Sequence, residues 1–166
     1  MRSLAIDLGT KRVGLALSDE GGRFATPFDV ITVSSPSAAT EAILQVIKTE
    51  GIERLVVGVP LNMDDSIGPA ARTTVAWARE LALKASKPLV LVDERLSSFD
   101  AEQQLINRKR GGEKITRKGR KQRLDAIAAA TFLQSFLDGN LNPLSIKEEP
   151  GRHAYNEPAK GNFRSL

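Results

Sequence analysis

The pattern of the chain changes near residue 33, and that change constrains the fold more than any other feature. Before it, strand follows strand; after it, helix and strand alternate. Residues 3–8 (SLAIDL) and 12–18 (RVGLALS) are apolar runs joined by Gly9-Thr10-Lys11. Val13, Leu15 and Leu17 alternate with Gly14, Ala16 and Ser18, a period of two that sets one face against a core. The short glycine-containing link makes the pair a hairpin. A third strand is predicted within 24–33, entered through Gly21-Gly22, with Pro27 arguing for a sheet edge or a late start.

The alternation then begins. Ser35 as cap, Pro36 at the first helical position, and Ile43, Val46 and Ile47 on one face predict a helix ending at Gly51. ERLVVGV (53–59) and PLVLVDER (88–95) read as buried parallel strands. Between them a helix is predicted from about Pro69 to Lys84, with Val75, Ala78, Leu81 and Ala82 inward and Trp77 against the core. A further helix is predicted from Ser97-Ser98 to about Asn107, and a last one over roughly 121–138. Such an order implies an α/β fold with a mixed five-stranded sheet and helices on both faces. The first three strands are antiparallel neighbours; the fourth and fifth arrive by right-handed crossovers, parallel to the first. Residues 1–138 form one domain. Residues 139–166, with Pro, Gly and Asn but no periodicity, read as a loosely ordered tail.

Composition narrows the chemistry. A length of 166 residues, 41% hydrophobic and 27% charged, suits one soluble domain. There is no cysteine, which excludes disulfides and cysteine–zinc sites. No run approaches the roughly 20 apolar residues of a membrane helix, and the N-terminus lacks a leader pattern, so no membrane contact and a cytoplasmic location are expected. His153 is the single histidine and lies in the tail, which excludes a histidine base or a histidine-ligated metal. The net charge is +4, but Arg108–Arg123 alone carries nine Lys/Arg against Glu113, a local +8 that leaves −4 elsewhere. A basic segment this concentrated points to a local polyanion contact, against the alternative of a solvated loop. It holds no aromatic residue, so base stacking is not expected there.

Three acids interrupt apolar patterns: Asp7 between Ile6 and Leu8, the pair Asp93-Glu94 after LVLV, and Asp125 between Leu124 and Ala126. An acid among core residues is costly unless paired, hydrogen-bonded or metal-bound, and each could be a satisfied structural carboxylate, Asp125 through a helix N-terminus. Sites in such sheets form beyond the carboxyl ends of the parallel strands, where Asp7 and Asp93-Glu94 both fall. The first and fifth strands lie about 10 Å apart if the fourth separates them, so the longer Glu94 is favoured over Asp93. Oxygen ligands without His or Cys suit Mg²⁺ or Mn²⁺, one ion or two. Such ions can activate water and stabilise a leaving oxygen in phosphodiester hydrolysis. Lys11, Arg12, Arg95, Arg108, Lys109, Arg110, Lys114, Arg117 and Lys118 are the candidate contacts for nucleic acid phosphates. The loop VGVPLNMDDS places Asn62, Asp64, Asp65 and Ser66 at the same edge, as substrate contacts or as a polar connection.

Four stretches, AIDLGTKRVGLALSD (5–19), VVGVPLNM (56–63), VDERLSS (92–98) and LDAIAAATFLQ (124–134), resemble the YqgF/RuvX-type family of ribonuclease-H-like nucleases, the pre-16S rRNA nucleases also described as Holliday-junction-resolvase-like. The resemblance implies a ribonuclease H sheet of order 3-2-1-4-5 and a catalytic, metal-holding set of Asp7, Glu94 and Asp125. It implies a role in 5′-end maturation of 16S rRNA, with precursor rRNA and the small-subunit precursor as partners. Two departures stand out. Where the family pattern continues with an acid and then Gly, this chain has Asp64-Asp65. Where related resolvases carry an extra acid one turn before Asp125, it has Lys121-Gln122-Arg123.

Three other readings fit the same residues. An ATP-binding domain of the actin and sugar-kinase kind also uses an Asp-x-Gly-Thr hairpin, as in Asp7–Thr10, but needs a second domain and a second hairpin. A branched-DNA resolvase would use the same acids. A non-catalytic nucleic-acid-binding protein could keep the fold without the chemistry, although bare carboxylates would repel phosphate.

Overall fold

The computed structural model describes residues 1–95 and 117–146, without the side chains of 36 and 117–123. The predicted helix at 98–107 and the cations Arg108, Lys109, Arg110 and Lys114 lie outside the described residues.

Five strands form one sheet of order β3-β2-β1-β4-β5. β1 (Ser3–Leu8) and β2 (Arg12–Ser18) pair antiparallel, with Asp7 opposite Gly14. β3 (Ala25–Thr32) continues the meander at one edge. Its register with β2 slips between Leu15 and Ala16, and Pro27 falls opposite Ala16 at that irregularity. The missing proline N–H is thus tolerated on an edge strand beside a bulge. β4 (Arg54–Val59) and β5 (Leu89–Asp93) add in parallel on the other side of β1.

The helices sort onto two faces, and that sorting later decides which acids meet. α1 (Pro36–Thr49) starts as expected: the Ser35 hydroxyl accepts from the Ala38 N–H at 3.2 Å, and Pro36 occupies the first turn. α2 (Pro69–Ala85) is joined to α1 by a buried bond of 3.0 Å from Trp77 Nε1 to Thr40 Oγ1. Leu4, Ile6, Leu15, Val57, Val59 and Leu91 pack with these two helices. The opposite face, with Ala5, Ala16, Val56 and Val92, packs against Ala129, Ala130, Phe132 and Leu133 of α3 (Arg117–Leu137). Small alanines on both partners let that helix sit close to the sheet.

Two expectations change. α3 begins at Arg117, four residues before the predicted start, so Asp125 lies in its third turn and gains nothing from the helix N-terminus. The tail also packs further than expected. Leu144 N–H donates to the Leu91 carbonyl at 2.7 Å, Arg79 donates to the Ile146 carbonyl at 2.6 Å, and Leu144 and Ile146 join the core. Residues up to 146 thereby cover the β5 edge, which would otherwise expose unpaired backbone; 147–166 lie outside the described residues.

Candidate active site

Side chains alternate across a sheet, so register decides which acids can meet. Asp7 shares the α3 face with Ala5; Glu94 follows Val92 onto that face. Asp93 shares the other face with Leu91. The choice between Asp93 and Glu94 therefore falls to parity: Glu94 is the acid that joins Asp7.

Distance was the obstacle, because β4 separates β1 from β5. Glycine removes it. A Cβ at Gly58 of β4 would lie 2.7 Å from Glu94 Oε2, 3.1 Å from Glu94 Cβ and 2.9 Å from Phe132 Cε1. Glu94 crosses β4 through the space that Gly58 leaves, with the Phe132 ring beneath it. On the other flank, a Cβ at Gly14 would fall on the Asp125 carbonyl and lie 2.9 Å from the Ala126 nitrogen. Gly14 is the register partner of Asp7, so α3 touches the sheet backbone where Asp125 must approach it. Sequence reasoning missed these two spacers. The available signal was a glycine inside a strand, which marks a close backbone approach.

The electrostatics follow. Burial pushes the Asp7 carboxyl up to about 6; the Asp125 charge adds to the rise, and a hydrogen bond from Glu94 opposes it. Burial pushes Glu94 up to about 8, helped by the Asp7 charge, by its hydrogen bond to Asp7 and by the Asp93 charge. Both shifts act against two charges side by side, and the two carboxyls share a hydrogen bond. Asp93 behaves oppositely. Burial works to raise it, but bonds from the Arg95 side chain and backbone hold it below the usual carboxylate range.

Arg95, a candidate phosphate contact, is engaged within the protein. Its guanidinium bonds Asp93 at 2.6–3.0 Å, the Asn62 carbonyl at 2.7 Å, and Asp65. It clamps the β4–α2 loop to the end of β5 and does not face open solvent as a free cation. The loop itself is built by Asp64, whose carboxylate accepts from the Ser66 hydroxyl and N–H. Asp65 adopts φ 65°, the left-handed conformation that favours glycine. Here Asp supplies that turn, as short polar residues can, and adds an ion pair to Arg95.

Arg12 meets Asp125, its Nε donating to Oδ2 at 2.6 Å. Beside them lies a cleft of about 230 Å³ lined by Asp7, Gly9, Thr10, Lys11, Arg12 and Asp125. Lys11 and Arg12 thus flank the acids, as the hairpin position suggested. Arg117 and Lys118 stand in the first turn of α3, two turns before Asp125. Among the described residues, no three acids already stand as a ready ion site. The donor set nevertheless fits a hard divalent cation. It is all oxygen, and burial beside a like charge raises both Asp7 and Glu94, a repulsion that such an ion would offset.

The sheet of order β3-β2-β1-β4-β5 is that of the ribonuclease-H-like fold, and this defines the class of the protein. A family model described as "RuvX: Holliday junction resolvase" matches residues 1–139, and the chain belongs to that family. Curated relatives each bear the name "Putative pre-16S rRNA nuclease". One from Acidiphilium cryptum is 40% identical over 137 residues, 82% of this chain and 84% of that protein. One from Anaeromyxobacter sp. is 43% identical over 139 residues, 84% of this chain and 98% of that protein. Among solved structures, Thermus thermophilus RuvC in complex with Holliday junction substrate aligns with TM-score 0.55 at 20% identity, over 87% of this chain and all of the other (100%). It shows the shared fold.

Proposed function

We propose that the protein is a divalent-metal-dependent endonuclease that trims the 5′ end of precursor 16S rRNA during ribosome biogenesis, in the cytoplasm. The carrying observation is the placement of Glu94 over Gly58 and against Asp7. Two acids brought together across an intervening strand oppose stability unless a cation later offsets them. Asp7, Glu94 and Asp125 would hold Mg²⁺ or Mn²⁺, which when bound supplies an activated water and stabilises the leaving oxygen. The chain's own residues do the rest. Lys11 and Arg12 line the cleft and bind the phosphates of the cut strand, while the basic segment from Arg108 onward extends that contact. The names of the curated relatives support the rRNA substrate.

The family description favours a second substrate, a four-way DNA junction, cut by the same acids. Cleavage assays on a precursor rRNA leader and on a synthetic junction separate the two. With Mg²⁺ or Mn²⁺ the leader is cut and the junction is not. Asp7→Asn lowers the rate by about a thousandfold, the scale of several kcal/mol of transition-state stabilisation from a metal centre. Equal cutting by wild type and Asp7→Asn removes the site assignment.

A further inference from the structure

We propose that Arg12 is the resident counter-ion of Asp125 and competes with the divalent ion for that carboxylate, so that metal loading frees the guanidinium for the bound strand. The inference rests on the metal reading above, but concerns a residue outside the ligand set.

The geometry carries it. Arg12 opens β2 and Asp125 sits on α3, 113 positions apart in sequence, yet Nε and Oδ2 are 2.6 Å apart. Side chains of both are 27% exposed, so the pair is neither a rim contact nor sealed in the core. Asp7 and Asp125 face the same cleft, which places the Arg12 partner at the acid cluster itself. Arg12 and Asp125 also share the wall of one cleft with Lys11 and Asp7. An acid cluster without a metal needs local positive charge, and Arg12 supplies it at the one acid of the three that stands on a helix.

A carboxylate oxygen held by a guanidinium is less available to an ion. Metal binding therefore has to loosen the pair, and removing the guanidinium should help the metal. The released side chain is tethered to the hairpin turn beside Lys11, at the mouth of a cleft where a phosphate would otherwise meet carboxylates. Arg12 thus adds positive charge to the strand-binding wall when the ion neutralises the acids, and withholds it when it does not. Strand binding and metal loading become coupled through one side chain.

The test is calorimetric titration of the full chain with Mn²⁺ alone. Wild type, Arg12→Gln, Asp125→Asn and the double variant are compared, with circular dichroism confirming that each is folded. Arg12→Gln should bind Mn²⁺ about tenfold more tightly, the scale on which a neighbouring opposite charge alters a carboxylate's affinity for a cation. In the Asp125→Asn background, the same change should alter affinity less than twofold, because the competition is removed. Arg12→Gln binding that is unchanged or weaker than wild type, or an equal gain in both backgrounds, overturns the competition. A wild type that binds no Mn²⁺ removes the metal reading itself and the inference with it. If Arg12→Gln does not fold, Arg12→Lys replaces it; the longer-range ammonium should give a smaller gain of the same sign, and no gain overturns the proposal.

Discussion

Asp93 and Glu94 are neighbours in sequence with opposite fates. Asp93 points to the α1–α2 face, where Arg95 surrounds it with charge-assisted hydrogen bonds and keeps it ionised. Glu94 points to the α3 face, where it meets another acid and keeps its proton. One carboxylate is held by a cation; the other stands beside a like charge and shares a hydrogen bond with it. An acid's position at the end of a strand is therefore insufficient to mark it as functional. What distinguishes Glu94 is that it occupies the space over Gly58 and stands beside a like charge.

The largest way to sharpen that contrast is to neutralise each acid in turn. Glu94→Gln should lower cleavage by about a thousandfold, since a metal centre's contribution is several kcal/mol, while leaving the metal-free protein as stable or more so, because a repelled carboxyl is gone. Asp93→Asn should do the reverse. It should lose about 1–2 kcal/mol of stability with the charged partner of Arg95, reduced by partial exposure, and retain most of its activity. Urea denaturation with chelator and a cleavage rate with Mg²⁺ give both readings. Equal activity losses would erase the distinction between the two faces.

The next test leaves every ligand in place. Gly58→Ala adds one methyl carbon 2.7 Å from Glu94 Oε2 and 2.9 Å from the Phe132 ring. Phe132 is only 1% exposed and closely packed, so the flexible Glu94 must give way. A displacement near 1 Å at a reacting centre costs about a hundredfold in rate, and the overpacking costs about 1–3 kcal/mol of stability. Cleavage by Gly58→Ala within a few-fold of wild type would show that Glu94 does not need that space.

Much of this arrangement was legible in the sequence, for physical reasons. The strand–turn–strand alternation of residues 3–18 and the β-branched runs at 53–59 and 88–93 are strong local signals. They predict the right elements because each is half or wholly buried, and the strand order implied by the resemblance matches the sheet. Ser35-Pro36 marked a helix start because a cap is a local device. The start of α3 was less legible: Arg117–Arg123 is polar all round, so periodicity shows the helix only from Leu124. The packing of Leu144 and Ile146 was hidden too, since a segment that borrows one edge of a sheet needs no periodic pattern. At the site, Asp7 and Asp125 stood out as acids among apolar neighbours, and Asp93-Glu94 as acids ending an apolar run. Gly14 and Gly58 did not, because a missing side chain reveals its purpose only when the atom that fills its space is known. Nor could sequence show that Arg12 is already engaged, since Asp125 lies 113 positions away, or that Arg95 reaches Asp65, 30 positions away, as well as its neighbour Asp93.

The smallest predicted effect concerns pH and needs no substitution to begin. Asp7 and Glu94 both have raised carboxyl pKa values in the folded chain, about 6 and about 8. A carboxyl with a raised folded-state pKa binds its proton more tightly when folded than when unfolded. Its contribution to stability is thus fully present below the ordinary value near 4 and lost as pH rises through the folded value. In chelator, the melting temperature should fall between about pH 4 and pH 8, by several degrees for a domain of this size. Asp93 contributes the opposite slope, since its pKa is lowered, but that acts below pH 4 and leaves the upper window to the repelled pair. Glu94→Gln should flatten the upper part of the fall. Millimolar Mg²⁺ should raise the melting temperature more at pH 8 than at pH 5, because an ion that binds only the folded state stabilises it by mass action and competes with the proton. A melting temperature in chelator that is flat from pH 5 to pH 8, with wild type and Glu94→Gln superimposed, would mean that the two acids do not repel. Glu94 would then be as settled in the fold as Asp93, and its crossing over Gly58 would need another reason than the chemistry of the site.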